Sequence, residues 1–377
     1  KAQQFWWRLT RAEDLDQPPP CLREQNGTTN PSCSFEKCLY PKACLNNQTE
    51  GCDIQNGFSN SCTNQNGTSV RCRLCGTCQQ GYKRRGSGTR CILCPDPTTN
   101  KILLGVGVLV MLIGSSIMIY MEITSETSAD ETSDAVKKIT LNFMQMVSLA
   151  GGLPLQWPES LEVMFASFGT LSSAGSNLLI PDCELTTMKT ADAFFMKQYF
   201  FAGMLPFLVC FIVLCWQLLF MCCKNCMSLT KSKLKDYTIL SLVLMTFLAY
   251  PMLTKLTLST LKCPWVGGQM WLMADLQEPC FQGRHMSHVL ALTIPQLIIY
   301  VLGLPLISVI FITRNIPNLH HKRFYTRYGL LYLGYKDERA WWEGVVAIRK
   351  VAIVAISTFG TLLGVVDIQA FLGHILY

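Results

Sequence analysis

The chain changes solvent at residue 100. Up to Asn100 it is polar, dense in cysteine and dotted with glycosylation sequons; from Lys101 on it is a succession of long apolar runs. A helix of about 20 apolar residues spans the roughly 30 Å hydrocarbon layer of a bilayer, and helices satisfy their own backbone groups where water is missing. Only 15% of the 377 residues are charged and 50% are hydrophobic, which with a net charge of +7 points to a membrane protein rather than a large soluble domain. Each half therefore restricts how the other is read.

The polar half carries 11 of the 19 cysteines, between Cys21 and Cys94. Sequons stand at Asn26-Gly27-Thr28, Asn47-Gln48-Thr49 and Asn66-Gly67-Thr68, whereas Asn30-Pro31-Ser32 is spoiled by its proline. N-linked glycans are expected on Asn26, Asn47 and Asn66; no other cofactor is. Together these features indicate an oxidising, extracytosolic side. Residues 1–100 lack helical periodicity and aliphatic clusters, so they need cross-links to offset chain entropy. Residues 1–70 read as an irregular glycosylated segment. Residues 71–100 form a denser module, Cys72-x2-Cys75-x2-Cys78, then Gly81-Tyr82, then Cys91-x2-Cys94-Pro95, in the manner of EGF-like, furin-like or ephrin-receptor-like repeats. Such modules bind partners or act as spacers, and a stalk with no ligand fits as well. Paired CxxC spacing also suits zinc, but the compartment favours disulfides, and no metal site is expected. Eleven is odd. Cys183, Cys263 and Cys280 fall on the same side, so we expect Cys263 to pair with Cys280 and Cys183 to take the spare cysteine. The chain starts at Lys1, and Phe5-Trp6-Trp7-Arg8 is too short for a signal peptide. Asp367–Tyr377 looks like the start of another element. We read the sequence as part of a longer polypeptide.

Residues 101–377 predict an all-α polytopic membrane helix bundle of about six spans, near 101–121, 139–155, 199–223, 237–256, 289–313 and 344–366. The second contains Asn142 and Gln145, which disfavour lipid and point to a helix facing the bundle interior. With the N-terminal part outside, the loops holding Lys224, Lys231, Lys233 and Lys235, and Arg314, Lys322, Arg323, Arg327, Lys336 and Arg339, face the cytosol, as the positive-inside rule requires. The first cytosolic loop is instead acidic and reads as disordered. The plasma membrane, including its ciliary or flagellar part, or another secretory-pathway membrane is the expected location. Cys222, Cys223 and Cys226, at the cytosolic end of a span, are palmitoylation candidates, with idle reduced thiols an equal reading.

Two stretches carry functional information. Trp157-Pro158-Glu159 marks an interfacial helix start, and Glu159 and Glu162 can line an outer cation vestibule; a solvated luminal helix is the bland alternative. The second runs from Arg323 and Arg327 through Tyr328, Tyr332 and Tyr335 to Trp341, Trp342 and the intramembrane pair Arg349 and Lys350. Interleaved aromatic and basic residues can stack nucleic-acid bases. Here they flank spans, so a headgroup-level belt contacting anionic lipid is expected and no nucleic acid. Arg349 and Lys350 can snorkel or pair with Glu343. The stretch is either a coupling element or a plain interfacial anchor.

Arg327-Tyr328-Gly329-Leu330-Leu331-Tyr332-Leu333-Gly334-Tyr335, with Trp342-Glu343 and Arg349-Lys350, resembles a segment of large protist and algal membrane proteins. These join cysteine-rich ectodomain repeats to a TRP-like (polycystin-like or fungal flavin-carrier-like) multi-pass region. Lys138–Gln145 with Trp157-Pro158 resembles a second block, and Cys183 the luminal cysteine of that group. The resemblance covers roughly residues 72–366 and implies a channel-like architecture. No GxSxG, HExxH, P-loop or dinucleotide fingerprint stands in a suitable context, so no enzyme is expected. The spans lack the acid or histidine chain of a proton-coupled transporter. Two classes remain. One is a protein that anchors or senses an extracellular glycoprotein assembly, as a TRP-like cation channel or mechanosensory subunit; the other is a non-conducting adhesion or receptor-type anchor. The expected partners are the bilayer and extracellular glycoproteins or other membrane subunits, in an oligomer or larger assembly.

Overall fold

Pro97 opens the first long helix, at a position where its missing N–H would have had no intrahelical partner. The computed structural model describes residues 6–9, 34–38, 43–44, 51–64, 67–85, 90–125, 131–153, 157–172, 183–185, 188–223, 230–266 and 268–359. Three antiparallel strand pairs come first: β1 (Trp6–Leu9) with β2 (Ser34–Lys37), β3 (Ser61–Thr63) with β4 (Ser69–Arg71), and β5 (Tyr82–Arg85) with β6 (Arg90–Leu93). Helices follow: α1 (Pro97–Ser125), α2 (Glu131–Ala150), α3 (Glu159–Ser172), α4 (Thr190–Cys223) and α5 (Lys231–Ser259). A three-stranded antiparallel sheet, β7 (Trp265–Val266), β8 (Gln269–Leu272) and β9 (Asp275–Pro279), precedes a continuous helix over Gly283–Arg314. That helix comprises α6 (Gly283–His288), α7 (Ile294–Gln296) and α8 (Leu304–Arg314), joined by π-helical turns at Val289–Thr293 and Leu297–Gly303. Last come α9 (Lys322–Tyr332) and α10 (Trp342–Phe359).

The chain divides into two units. The first gathers Lys1–Asn100, Asp182–Phe195 and Leu261–Ser287; the second holds Lys101–Pro181, Met196–Thr260 and His288–Tyr377. Among the described residues, the first unit carries disulfides Cys38–Cys44, Cys52–Cys75, Cys62–Cys72, Cys78–Cys91, Cys94–Cys183 and Cys263–Cys280. Its core is cysteine-rich: Cys44, Cys52, Cys75 and Cys91 pack with Phe58, Leu74, Val266 and Leu276. Gly76 makes this possible, because a Cβ there would sit 2.5 Å from the Leu276 Cδ1 atom. Arg73 lies 3.4 Å from the centroid of the Trp271 ring and donates to the Leu276 carbonyl. The outward segment 257–288, read from sequence as a loop, is thus a small sheet packed on the cysteine module.

Four described helices are long and apolar enough to cross a membrane: Pro97–Met121, Thr190–Met221, Lys231–Ser259 and Gly283–Arg314. This corrects the expectation of six. The run at 139–155 belongs to α2, which begins at Glu131 and carries Lys137 and Lys138. The run at 344–366 belongs to α10, whose 18 described residues include Glu343, Arg349 and Lys350; positions 360–366 lie outside the described residues. The span expected from Tyr199 begins at Thr190.

In the helical unit, α2 and α3 fold back on each other where Gly151 removes a side chain. A Cβ at Gly151 would lie 2.8 Å from Phe165, whose ring meets Trp157 edge-on at 5.1 Å. Helix α5 is the most enclosed of the four apolar helices. Prolines inside helices leave the carbonyl four residues back without its usual donor. Pro206 does this to Ala202, and the Tyr300 hydroxyl donates to that carbonyl at 3.0 Å. Pro305 does it to Val301, and the Tyr250 hydroxyl donates there at 2.9 Å. Hydroxyl and amide contacts continue the seam: Thr260 with Thr293 at 2.9 Å, Thr257 with Gln296 at 3.0 Å, and Gln198 with the Leu256 carbonyl at 3.1 Å.

Candidate functional site

Helical spacing places Lys138, Asn142 and Gln145 on one face of α2, and Glu343 and Lys350 on one face of α10. These side chains meet. Lys138 Nζ lies 3.0 Å from Glu343 Oε2 and donates to the Leu333 carbonyl at 3.3 Å. Tyr335 Oη donates to the same carboxylate at 3.1 Å, and its ring lies 4.2 Å from Lys138 Nζ. Asn142 Nδ2 approaches Glu343 Oε1 at 3.4 Å. Lys350 Nζ donates to Asn142 Oδ1 at 2.7 Å and Gln145 Oε1 at 2.6 Å, and lies 4.7 Å from the Phe247 ring on α5. Lys138, Gln145, Glu343 and Lys350 are 4%, 0%, 8% and 2% exposed, so water supplies little of their solvation. Glu343 thus pairs with Lys138, and Asn142 links the same carboxylate to Lys350 through its two amide atoms. Burial and the Glu343 charge push the Tyr335 phenol well above its ordinary value, which keeps it a hydrogen-bond donor.

Sequence reasoning placed Asn142 and Gln145 in the interior but offered Arg349 or Lys350 as the partner of Glu343. The partner is Lys138, and Lys350 turns to the two amides. Arg349 is half-buried.

The basic-aromatic stretch divides. Arg323 is exposed and borders a pocket of about 180 Å³ with His321, Phe324, Arg327 and Tyr328. Arg327 Nε donates to Asp236 on α5 at 2.7 Å. Tyr332 is buried, its hydroxyl donating to the Leu319 carbonyl at 2.7 Å; burial and the Asp337 charge push it up to about 12. Tyr328 packs on Phe311 and Phe324, with ring centroids 4.7 and 5.0 Å away. Trp342 is exposed and Trp341 stands against it at 5.7 Å. These rings hold α9 to its neighbours, and Arg323 and Trp342 keep a free face.

Glu159 and Glu162 both stand at the start of α3; Glu162 is half-buried, and the Glu159 side chain lies outside the described residues. Asn26, Asn47, Asn66 and Cys226 also lie outside them, as do the side chains of Cys222 and Cys223 at the end of α4. All eight cysteines named from the sequence as bridged are in disulfides: Cys72 with Cys62, Cys75 with Cys52, Cys78 with Cys91, Cys94 with Cys183, and Cys263 with Cys280.

In the first unit, Asp275 accepts from the Ala191 and Gln277 amides at 3.1 and 3.0 Å, yet burial raises its pKa. Burial likewise lowers Arg73 to about 10, against the opposing pull of Asp275. Cys263, Cys280 and His285 crowd together, with ligand atoms within 4.8 Å of one another; the two sulfurs are bonded to each other. No family model, no curated protein and no solved structure matches the chain.

Proposed function

We propose that the chain is a polytopic membrane protein that senses an extracellular glycoprotein assembly through its disulfide-rich part, and that the Lys138–Glu343–Lys350 cluster is the element that responds. The observation carrying this reading is the cluster itself. Each buried ion forfeits several kcal/mol of hydration, and apolar side chains of similar volume usually hold helices at least as well. A passive anchor gains nothing from it. A carboxylate paired with one buried lysine and linked through an amide to a second has another cation within the same cluster to turn to, which is what a switch needs.

The Cys94–Cys183 disulfide supports an oxidising, extracytosolic side for the disulfide-rich part. No enzymatic activity is assigned. The second reading is the TRP-like cation channel, favoured by the placement of Glu159 and Glu162 three residues apart on one helix.

The test uses the chain reconstituted in liposomes. Glu343→Gln is expected to free the Lys322–Lys336 segment and raise trypsin cleavage there about tenfold, with the disulfide-rich part still folded. Unchanged cleavage in a folded variant removes the sensor and leaves the anchor. A cation current in planar bilayers that falls with Glu159→Gln and Glu162→Gln establishes the channel.

A further inference from the structure

His285 is fully buried in the first turn of the helix that follows Cys280. The link between them is tightly bent: Phe281 has φ +57° and Gly283 φ +46°, a left-handed region that a bulky residue such as phenylalanine seldom adopts. The bend brings the Phe281 N–H to His285 Nδ1 at 3.0 Å and sets His285 Nε2 3.9 Å from Cys280 Sγ. These two contacts fix the imidazole. A neutral histidine has one nitrogen that accepts and one that donates. Nδ1 accepts from the backbone, so the proton sits on Nε2, facing sulfur. The same tautomer argues against a Cys2His metal site, because Nε2 could ligate only if the ring were stripped to imidazolate.

We propose that Cys263–Cys280 is a thiol–disulfide exchange site, and that His285 directs an attacking thiolate to Cys263 by stabilising Cys280 as the leaving thiolate. In thiol–disulfide exchange the sulfur that better bears negative charge departs faster, and an N–H donor aimed at it lowers its basicity. The external thiolate sulfur bonds to Cys263 Sγ; the electron pair of the disulfide moves to Cys280 Sγ, which leaves as thiolate. The proton stays on His285 Nε2, since the Phe281 amide blocks Nδ1 from taking a second one. When the reductant is a dithiol, its second thiolate attacks the mixed disulfide on the reductant's own sulfur and releases Cys263; the dithiol is oxidised by two electrons and the protein disulfide reduced by two. Cys263 and Cys280 are 2% and 3% exposed, so exchange proceeds through local opening. This site stands independently of the sensor reading.

The experiment takes the full chain in lipid nanodiscs, exposes it to glutathione, quenches with iodoacetamide at set times and maps peptides without reduction. Glutathione is expected on Cys263 and carbamidomethyl on Cys280, with the opposite assignment at least about tenfold rarer. Opening is expected to precede that of Cys62–Cys72 in the same molecule. His285→Phe is expected to abolish the bias and slow opening about tenfold, and His285→Gln, which keeps an N–H donor, to restore part of both. The wild-type partition alone decides the matter if a variant fails to fold. Equal adducts on the two cysteines, adducts mainly on Cys280, or a bias that survives His285→Phe overturns the proposal.

Discussion

The two units hold themselves together by opposite means. In the first, short strand pairs and a three-stranded sheet are stapled by every disulfide found among the described residues. In the second, Cys210 and Cys215 are free, and the long helices are joined by tyrosine hydroxyls, threonines, amides and an ionic cluster. The difference follows from solvent. Short strands in water bury too little apolar surface to offset their entropy, so covalent ties restrict the unfolded chain instead. Helices in lipid have their backbones satisfied already and gain nothing by hiding leucine from leucine; small-residue packing and polar contacts must bring them together.

The sharpest way to break that contrast is at Glu343. Glu343→Leu leaves Lys138 buried without its counter-charge and is expected to cost about 3–5 kcal/mol in thermal unfolding of the helical unit in detergent. Lys138→Met added to it is expected to recover most of the loss. A single-variant loss below about 1 kcal/mol shows that the cluster does not join the helices.

The counterpart in the first unit is Cys94–Cys183, which closes a separation of 89 residues against 6 for Cys38–Cys44. Serine at both ends of the long loop is expected to cost about 2–4 kcal/mol, and more than the same change at the short one, because loop-closure entropy grows with length. Limited proteolysis of the two variants compares them directly. Equal losses place the stabilisation in native packing.

A Cβ on Gly344 would collide with Val309 Cγ2. Gly344→Ala is expected to cost about 1–3 kcal/mol by overpacking α10 against α8, and Val309→Ala to relieve it. If the second change adds to the damage, the helices do not meet at this point.

What the sequence disclosed follows the same division. The switch at residue 100, the four strongest apolar helices and the polar face of α2 were legible because each rests on composition or periodicity within one segment. The partner of Glu343 was not: Lys350, seven residues on, is the local choice, whereas Lys138 reaches the carboxylate only through tertiary packing. The β7–β9 sheet passed as loop, although Gly267-Gly268 between Trp265-Val266 and Gln269–Leu272 is a hairpin signal. Tyr328 and Tyr332 read as belt residues on side-chain type; their contacts with Phe311, Phe324 and the Leu319 carbonyl join separate segments and are invisible to that reading.

The tyrosine–proline contacts were also missed, though a signal existed: a proline inside an apolar helix announces a carbonyl in want of a donor, and a mid-span tyrosine is a donor in want of an acceptor. Tyr250→Phe and Tyr300→Phe are each expected to cost about 1 kcal/mol, the net worth of one hydrogen bond, with apolar packing nearly unchanged. A double-mutant cycle sharpens the attribution. Pro305→Ala restores an N–H four residues after Val301, so in that background Tyr250→Phe should cost less than it does alone. If the two changes are additive, the hydroxyl is not answering the proline, and the helices are joined at this level by packing alone. If they couple, the helical unit is held by a device that works only where water is absent, because in water the freed carbonyl would find a partner without the tyrosine.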